Sequence, residues 1–531
     1  MVQGRFERLM TTTQSPPPRH GAVNRPVPAE KSAVPVKKTV VSAEKTVVPA
    51  QEAPLRRAVL RGGITMAVAT VAMRASSFLA QLVLGRLLLP EQFGVYAIAV
   101  SFIALAAALR SVLRPYLVEL ITHDGDQAGM YRVLMWSMWL ATALALGATP
   151  WLAGLFEAEN LAILLALMFF SVPFQIYPMF GLAQLNHQLD FRRLGQIMTT
   201  GIVVRQAGTV VGALLGWGVL SFAFGLYLGT MAEMLAARRA TGPLPSLFGP
   251  IDGARLRLAG RSLRWLPVAA IALTIWVNGD YATAGLFQPA TVVGFYFFAY
   301  QLTGAFTQPF TTAASSVLVP SFSRLPQGPR MRSSFLETVE IIPVVAGLPF
   351  GGLAVLAAPL VHLVWGGRWD QATIAIVLLA GVMPIALVHS VTLSITQARG
   401  WWKQYSVLVA LSAVGTSSAA AIGGLIGGLT ALVVAAVVVQ SAMALVISCW
   451  VGNRLGVSAK STFATISMPA AIWILAIALS HVAYPILETG FITSMGRLFI
   501  FLLASVPLIY AAYVDKVRAL ASQTRSSGVR V

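Results

Sequence analysis

Three arginines fall inside stretches of sequence that otherwise exclude charge: Arg74, Arg110 and Arg205. A guanidinium at the centre of a membrane span costs about 2.5–3.5 kcal/mol on insertion scales, so such a residue faces a cavity or a partner. At a rise of about 1.5 Å per residue, Arg74 lies about 15 Å, Arg110 about 10 Å and Arg205 about 12 Å from the same end of their helices. No Asp or Glu of the first six spans sits at that level; Glu233 lies nearer the end. Cations gathered without an internal anion suit a diphosphate-bearing ligand, which the planar guanidinium fork holds bidentately. Arg74, Arg110 and Arg205 are therefore candidate diphosphate-binding residues. The competing reading has each of them snorkelling to the interface or bonding backbone carbonyls at a helix break.

Asp280 is the one acidic residue well inside the spans of the second half. It could pair with an arginine across the halves, bind a coupling cation or cap a helix end, and the structural role is the leading expectation. Asn278, Gln81, Gln175, Gln301, Gln308 and His389 could line a polar path. An interhelical hydrogen bond accounts equally well for each of them singly. Two tempting motifs carry no chemistry. Asp124-Gly-Asp126 has the spacing of a glycosyltransferase metal motif but lies in a short loop with no soluble domain beside it. Gly423-Gly-Leu-Ile-Gly-Gly428 lacks the Lys-Ser/Thr of a phosphate loop and reads as a tight turn between helices. The single cysteine, Cys449, excludes an internal disulfide and any cysteine-cluster metal site. No catalytic residue, metal or cofactor is expected.

The elements that hold these residues follow from composition. Of 531 residues 57% are hydrophobic and only 11% charged, where a soluble chain keeps about a quarter charged. The apolar material comes in blocks of about 20 residues, the length that crosses a hydrocarbon core. The fold class expected is an all-α polytopic membrane protein with about fourteen transmembrane helices in two pseudo-symmetric lobes. Residues 1–60, with Pro16, Pro17 and Pro18 among many lysines and arginines, read as a disordered basic tail. The expected divisions after it are a first lobe over 61–237, a linker over 238–264, a second lobe over 265–450, two further helices within 451–515, and a tail over 516–531.

A net charge of +19 is of the size seen in nucleic-acid binders, but its distribution argues against that reading. All Lys and Arg except Arg74, Arg86, Arg110, Arg205, Arg368 and Arg497 fall in the two tails and in alternate loops, on one side of the membrane. The positive-inside rule makes that side, and both termini, cytoplasmic. An internal repeat supports the two lobes: Gly85-Arg-Leu-Leu-Leu-Pro-Glu-Gln-Phe-Gly-Val-Tyr96 aligns with Gly285-Leu-Phe-Gln-Pro-Ala-Thr-Val-Val-Gly-Phe-Tyr296. Ser111-Val-Leu-Arg-Pro115 then aligns with Ser316-Val-Leu-Val-Pro320. Both copies run the same way across the membrane, which relates the lobes by an axis along its normal, with a binding site between them.

Leu84 to Tyr96, Leu189-Asp-Phe-Arg-Arg-Leu194, Leu215-Gly-Trp-Gly-Val219 and Asn278-Gly-Asp280 are pieces of a wider pattern. With Val293 to Leu325 and Leu363-Val-Trp-Gly-Gly-Arg-Trp369, their order and spacing cover about residues 60–450. In these pieces the chain resembles the polysaccharide transporter branch of the multidrug/oligosaccharidyl-lipid/polysaccharide exporter superfamily. It departs from the family pattern at Tyr281, where a basic residue often follows the aspartate. The resemblance implies an alternating-access flippase in the cell inner membrane, translocating a polyprenyl-diphosphate-linked oligosaccharide for extracellular or surface polysaccharide. Its implied partners are that lipid-linked oligosaccharide and the membrane lipids, with other polysaccharide-export components as candidates and no nucleic acid. The glutamines and Asn278 would then face sugar hydroxyls. Two alternatives stand beside it: a cation-coupled multidrug exporter of the same superfamily, which would want buried carboxylates, and a polysaccharide polymerase or ligase, which would want larger outward loops.

Overall fold

In hydrocarbon every backbone N–H and C=O must find its partner within the chain, which leaves the helix as the economical element for sequence this apolar. The computed structural model describes residues 52–105, 127–156, 158–242, 246, 248–249, 266–486 and 488–526. Within them the first half contributes α1 (Glu52–Leu87), α2 (Pro90–Leu105), α3 (Gln127–Gly154), α4 (Leu161–His187), α5 (Phe191–Leu214) and α6 (Leu220–Thr241). The second half contributes α7 (Leu266–Gly285), α8 (Ala290–Arg324), α9 (Pro329–Trp365), a 3₁₀ turn (Asp370–Ala372), α10 (Thr373–Ala398), α11 (Trp402–Ile426) and α12 (Gly428–Arg454). Two more helices, α13 (Ala459–Ala483) and α14 (Phe491–Ser526), complete the described chain. Among the described residues eleven helices are long and apolar enough to cross a membrane, where about fourteen are expected for the whole chain. The expected spans at 265–285 and 292–316 fall on α7 and α8, and 95–105 of the expected span 95–117 fall on α2, the rest of it lying outside the described residues.

Several boundaries move relative to the sequence reading. Residues 52–60, assigned to the tail, are the first turns of α1, and α14 runs on through 516–526. Hydropathy marks only the part of a helix that meets hydrocarbon; beyond it, polar residues satisfy the same backbone pattern in water. Elsewhere local chemistry sets the ends. Asp190 accepts the Arg193 N–H at 3.1 Å and starts α5, so the Leu189–Leu194 motif is a helix cap. Ser458 does the same for α13 through Ser461 N–H at 3.2 Å.

Leu55–Val531 forms one compact unit, and within it each half packs chiefly on itself. In the first half α5 lies along α6, and α4 packs against α3 and α6; in the second, α7 lies along α11 while α10 is wrapped by α8, α9 and α12. α13 and α14 pack on α9. Contacts between loops sort the helix ends into two levels. At one level Arg399 donates to the carbonyl of Leu325 at 3.1 Å, Gly456 meets Arg332, and Gly62 meets Phe191. This level carries the basic loops: Arg192, Arg193, Arg238, Arg239, Arg324, Arg330, Arg332, Arg399, Lys403, Arg454 and Lys460. At the other level Gln288 donates to Gly424 O at 2.7 Å and Gly218 meets Gln92.

The halves meet at this second level, and the internal repeat makes the junction. A Cβ on Gly94 of α2 would lie 1.7 Å from the Ala290 carbonyl oxygen of α8, and a Cβ on Gly294 would lie 1.8 Å from the Pro90 carbonyl oxygen. The two copies thus cross reciprocally, glycine against the first turn of the other helix. Cross-lobe hydrogen bonds surround the crossing. Trp369 Nε1 donates to Gly85 O at 2.7 Å, Trp365 Nε1 to Leu82 O at 3.2 Å and Arg368 Nη1 to Arg86 O at 2.8 Å. Ser101 Oγ donates to Asn278 O. Left-handed glycines at Gly366 (φ 68°) and Gly367 (φ 86°) turn the chain out of α9 and bring Trp369 under the seam.

Candidate binding cavity

Thr70, Arg74, Ser77 and Gln81 recur along α1 at steps of four, three and four residues, which places them on one helix face. That face looks into a cavity of about 1090 Å³ lying between the two halves. α5 adds Arg205, Gln206 and Thr209, α4 adds Gln175 and Met168, and α8 adds Phe297, Gln301 and Gly304. The volume is at the top of the range of small-molecule sites. No Asp or Glu is among the described residues lining it.

Polar contacts hold the walls together. Gln206 Nε2 donates to Ser77 Oγ at 3.1 Å, tying α5 to α1, and Gln175 Nε2 donates to Ser171 Oγ at 2.9 Å. Two buried donors are left over: Arg205 Nε and Gln81 Nε2 have no hydrogen-bond partner. A buried donor without a partner costs about 1–3 kcal/mol, and both belong to residues of the cavity wall. Towards the seam the cavity ends in aromatic rings. Tyr96 stacks on Phe222 with centroids 3.7 Å apart and meets Phe297 edge-on at 5.8 Å; Phe93 closes against Phe222 at 5.7 Å.

Arg205 is set in place by how closely α5 and α6 approach. A Cβ on Gly229 would fall 2.5 Å from Arg205 Cβ and 2.7 Å from the Gly201 carbonyl oxygen. Gly229→Ala is therefore expected to push α6 off α5, costing about 1–3 kcal/mol of stability. A lower thermal unfolding midpoint of the solubilised protein, together with weaker transport, would register both the overpacking and the displaced guanidinium.

Arg74, Arg205, Gln81, Gln175 and Gln301 are thus brought to one cavity. Arg110, Asp124 and Asp126 lie outside the described residues, as does the side chain of Gln308. Asn278, Asp280 and His389 stand apart from the cavity. Asn278 Nδ2 turns back to Thr274 O at 3.3 Å, and His389 faces Ser412 Oγ at 3.2 Å beneath Trp276. Asp280 is buried, accepting from Tyr296 Oη at 2.9 Å and from Tyr281 N–H at 3.1 Å, inside a cluster with Tyr300. Asp280→Asn keeps an acceptor for the Tyr281 N–H and is expected to change stability by less than about 1 kcal/mol. Asp280→Leu strands both donors and should cost about 1–3 kcal/mol, which thermal unfolding of the two variants would compare.

Sequence reasoning passed over Thr70, Ser77, Gln206, Thr209 and the rings of Tyr96 and Phe222. The helical spacing of 70, 74, 77 and 81 carries a signal for the first two. The rings carry none, because an aromatic in an apolar helix reads as core.

Solved structures share this architecture. A structure described as the lipid II flippase MurJ in an inward closed conformation superposes with a TM-score of 0.66 at 12% identity, over 86% of this chain and 100% of that one. An inward-facing multidrug resistance MATE family transporter of the MOP superfamily superposes with a TM-score of 0.60 at 16% identity, over 72% of this chain and 94% of that one. The succinoglycan biosynthesis transport protein ExoT of Rhizobium meliloti (strain 1021) is 23% identical over 386 residues, 70% of this chain and 75% of that protein. Helices from both halves around a polar cavity, in this company, give the chain the fold of a polytopic helical membrane protein shared by these transporters. Residues 83–374 match the family described as polysaccharide biosynthesis protein, and the chain belongs to that family.

Proposed function

We propose that the chain is an alternating-access flippase for a polyprenyl-diphosphate-linked oligosaccharide, working in the cell inner membrane with both termini in the cytoplasm. The observation that carries this reading is the cavity itself. It holds Arg74 and Arg205 with no carboxylate among its described lining residues, and amide side chains from both lobes stand around them. A diphosphate offers the buried, unpartnered Arg205 Nε a charged acceptor, and Gln81, Gln175 and Gln301 offer donors and acceptors to sugar hydroxyls. A cationic drug would find no carboxylate among the described residues of the same wall. The charge sorting of the loops supports a cytoplasmic basic end, which makes the sealed seam the outer gate and the cavity an inward-facing one. Opening that gate would require the Gly94–Gly294 crossing to part while the basic end closes.

The membrane potential favours the cargo's direction. Moving an anion out of an inside-negative cell gains about 2.3 kcal/mol per charge per 100 mV. The relatives support a glycan-linked cargo, since one is described as a succinoglycan transport protein and another as a lipid II flippase. Loss of the chain in its own cell is expected to leave a lipid-linked oligosaccharide accumulating, accessible to a glycan-cleaving reagent only from the cytoplasmic face. Normal surface polysaccharide with no such accumulation would overturn the proposal.

A further inference from the structure

Few basic residues occupy the seam end of the molecule, and two of them sit in the seam. Among the described residues the arginines at that level are Arg86, Arg368 and Arg497. Arg497 is fully buried and gives donors to the carbonyls of Pro485 and Glu488. Arg86 and Arg368 are exposed and adjacent. Arg86 Nε donates to Val364 O in the other half. Arg368 Nη1 donates back across the seam to Arg86 O at 2.8 Å and Leu88 O at 3.5 Å. Neither guanidinium is paired with a carboxylate among the described residues; Asp370, two positions from Arg368, faces His362 at 3.0 Å instead.

Each guanidinium therefore spends only part of its fork, and spends it on neutral carbonyl oxygens of the opposite lobe. A phosphate oxygen is a stronger acceptor: charge-assisted bonds are roughly twice as strong as neutral ones, and the arginine fork can take a phosphate bidentately. Arg86 gives its Nε to Val364 O and Arg368 its Nη1 to Arg86 O, so a phosphate seated bidentately on either of these edges displaces the carbonyl there. We propose that Arg86 and Arg368 form a second site for a phosphate-type anion, and that filling it releases the cross-lobe hydrogen bonds and opens the seam. Its role in delivering cargo rests on the function and orientation proposed above: a diphosphate rising from the cavity would meet these two arginines as the gate parts. An anionic phospholipid head group offers the same chemistry from the membrane side. A pure latch, by contrast, would hold the lobes together and ignore anions.

Spin labels at Glu159→Cys and Leu425→Cys, in a Cys449→Ser background, report the separation of the lobes at this end. Both positions are exposed and lie in opposite halves. The labelled protein would be placed in vesicles of phosphatidylcholine with pyrophosphate added, and separately in vesicles containing phosphatidylglycerol without it. A shift of the population to longer distances with pyrophosphate assigns the site to a free or substrate diphosphate; a shift with phosphatidylglycerol alone assigns it to a lipid head group. Adding Arg86→Gln and Arg368→Gln should abolish either response and lengthen the distances without any anion. The proposal is overturned if neither anion moves the parent protein, or if the double variant still responds. Parent vesicles that flip a lipid-linked glycan yet show no anion response would remove this site while leaving the transport function standing.

Discussion

Gly94→Ala is expected to force the seam apart while leaving each lobe folded. The added methyl would begin 1.7 Å from the Ala290 oxygen and 2.6 Å from its carbonyl carbon. Both are backbone atoms of α8, so no side chain can swing aside, and α2 must retreat by well over an ångström to reach ordinary contact. That retreat breaks the seam hydrogen bonds of Trp369, Trp365 and Arg368. At about 0.5–1.5 kcal/mol each, loss of all three moves the balance between closed and open seam roughly 10–1,000-fold. Gly294→Ala should act alike through Pro90. In a Cys449→Ser background, a cysteine placed at Ser101 should be shielded from a membrane-impermeant maleimide and become labelled once Gly94→Ala is added. Gly304→Ala is the control, since its methyl meets no atom within 4 Å. Equal labelling in all three would mean that the glycine crossing does not hold the gate.

The second large effect belongs to the cavity cations. Arg74→Ala and Arg205→Ala each remove a charge from a wall that holds no other charged residue among the described ones. A hydrogen bond to a charged group is worth about 1.5–3 kcal/mol, so each change should weaken binding of a polyprenyl-diphosphate oligosaccharide by roughly 10–100-fold. The double variant should leave no measurable binding in nanodiscs. Lysine substitutions should recover only part of the affinity, because an ammonium keeps the charge without the fork. Retained affinity in the double variant would detach both arginines from the ligand.

Arg74 and Arg205 were visible in the sequence because a bilayer rejects unpartnered charge, and a lone arginine in twenty apolar residues therefore declares a cavity or a partner. Their convergence was not visible, since it depends on how α1 turns against α5, which Gly229 and the Gln206–Ser77 bond decide. The repeat was legible as two matching strings. That its glycines touch each other was not, because close approach is a property of two helices and leaves no mark on either. Asp280 shows the same limit from the other side. Its partner Tyr296 lies sixteen positions on, in the next helix, and nothing in the string Asn278-Gly-Asp280 points to it. The sorting of basic loops was the most legible feature of all, since it depends on composition alone.

The most direct test of the central claim is a flip assay on the wild-type chain. Purified protein in liposomes would face a fluorescent polyprenyl-diphosphate oligosaccharide loaded on one leaflet, with an impermeant quencher reporting arrival on the other and a potassium diffusion potential imposed. Protein-dependent transfer, faster when the potential drives the anion away from the basic end and slower when it is reversed, is the expected result. Transfer no faster than in empty liposomes, with several glycan lipids and either sign of potential, would contradict it.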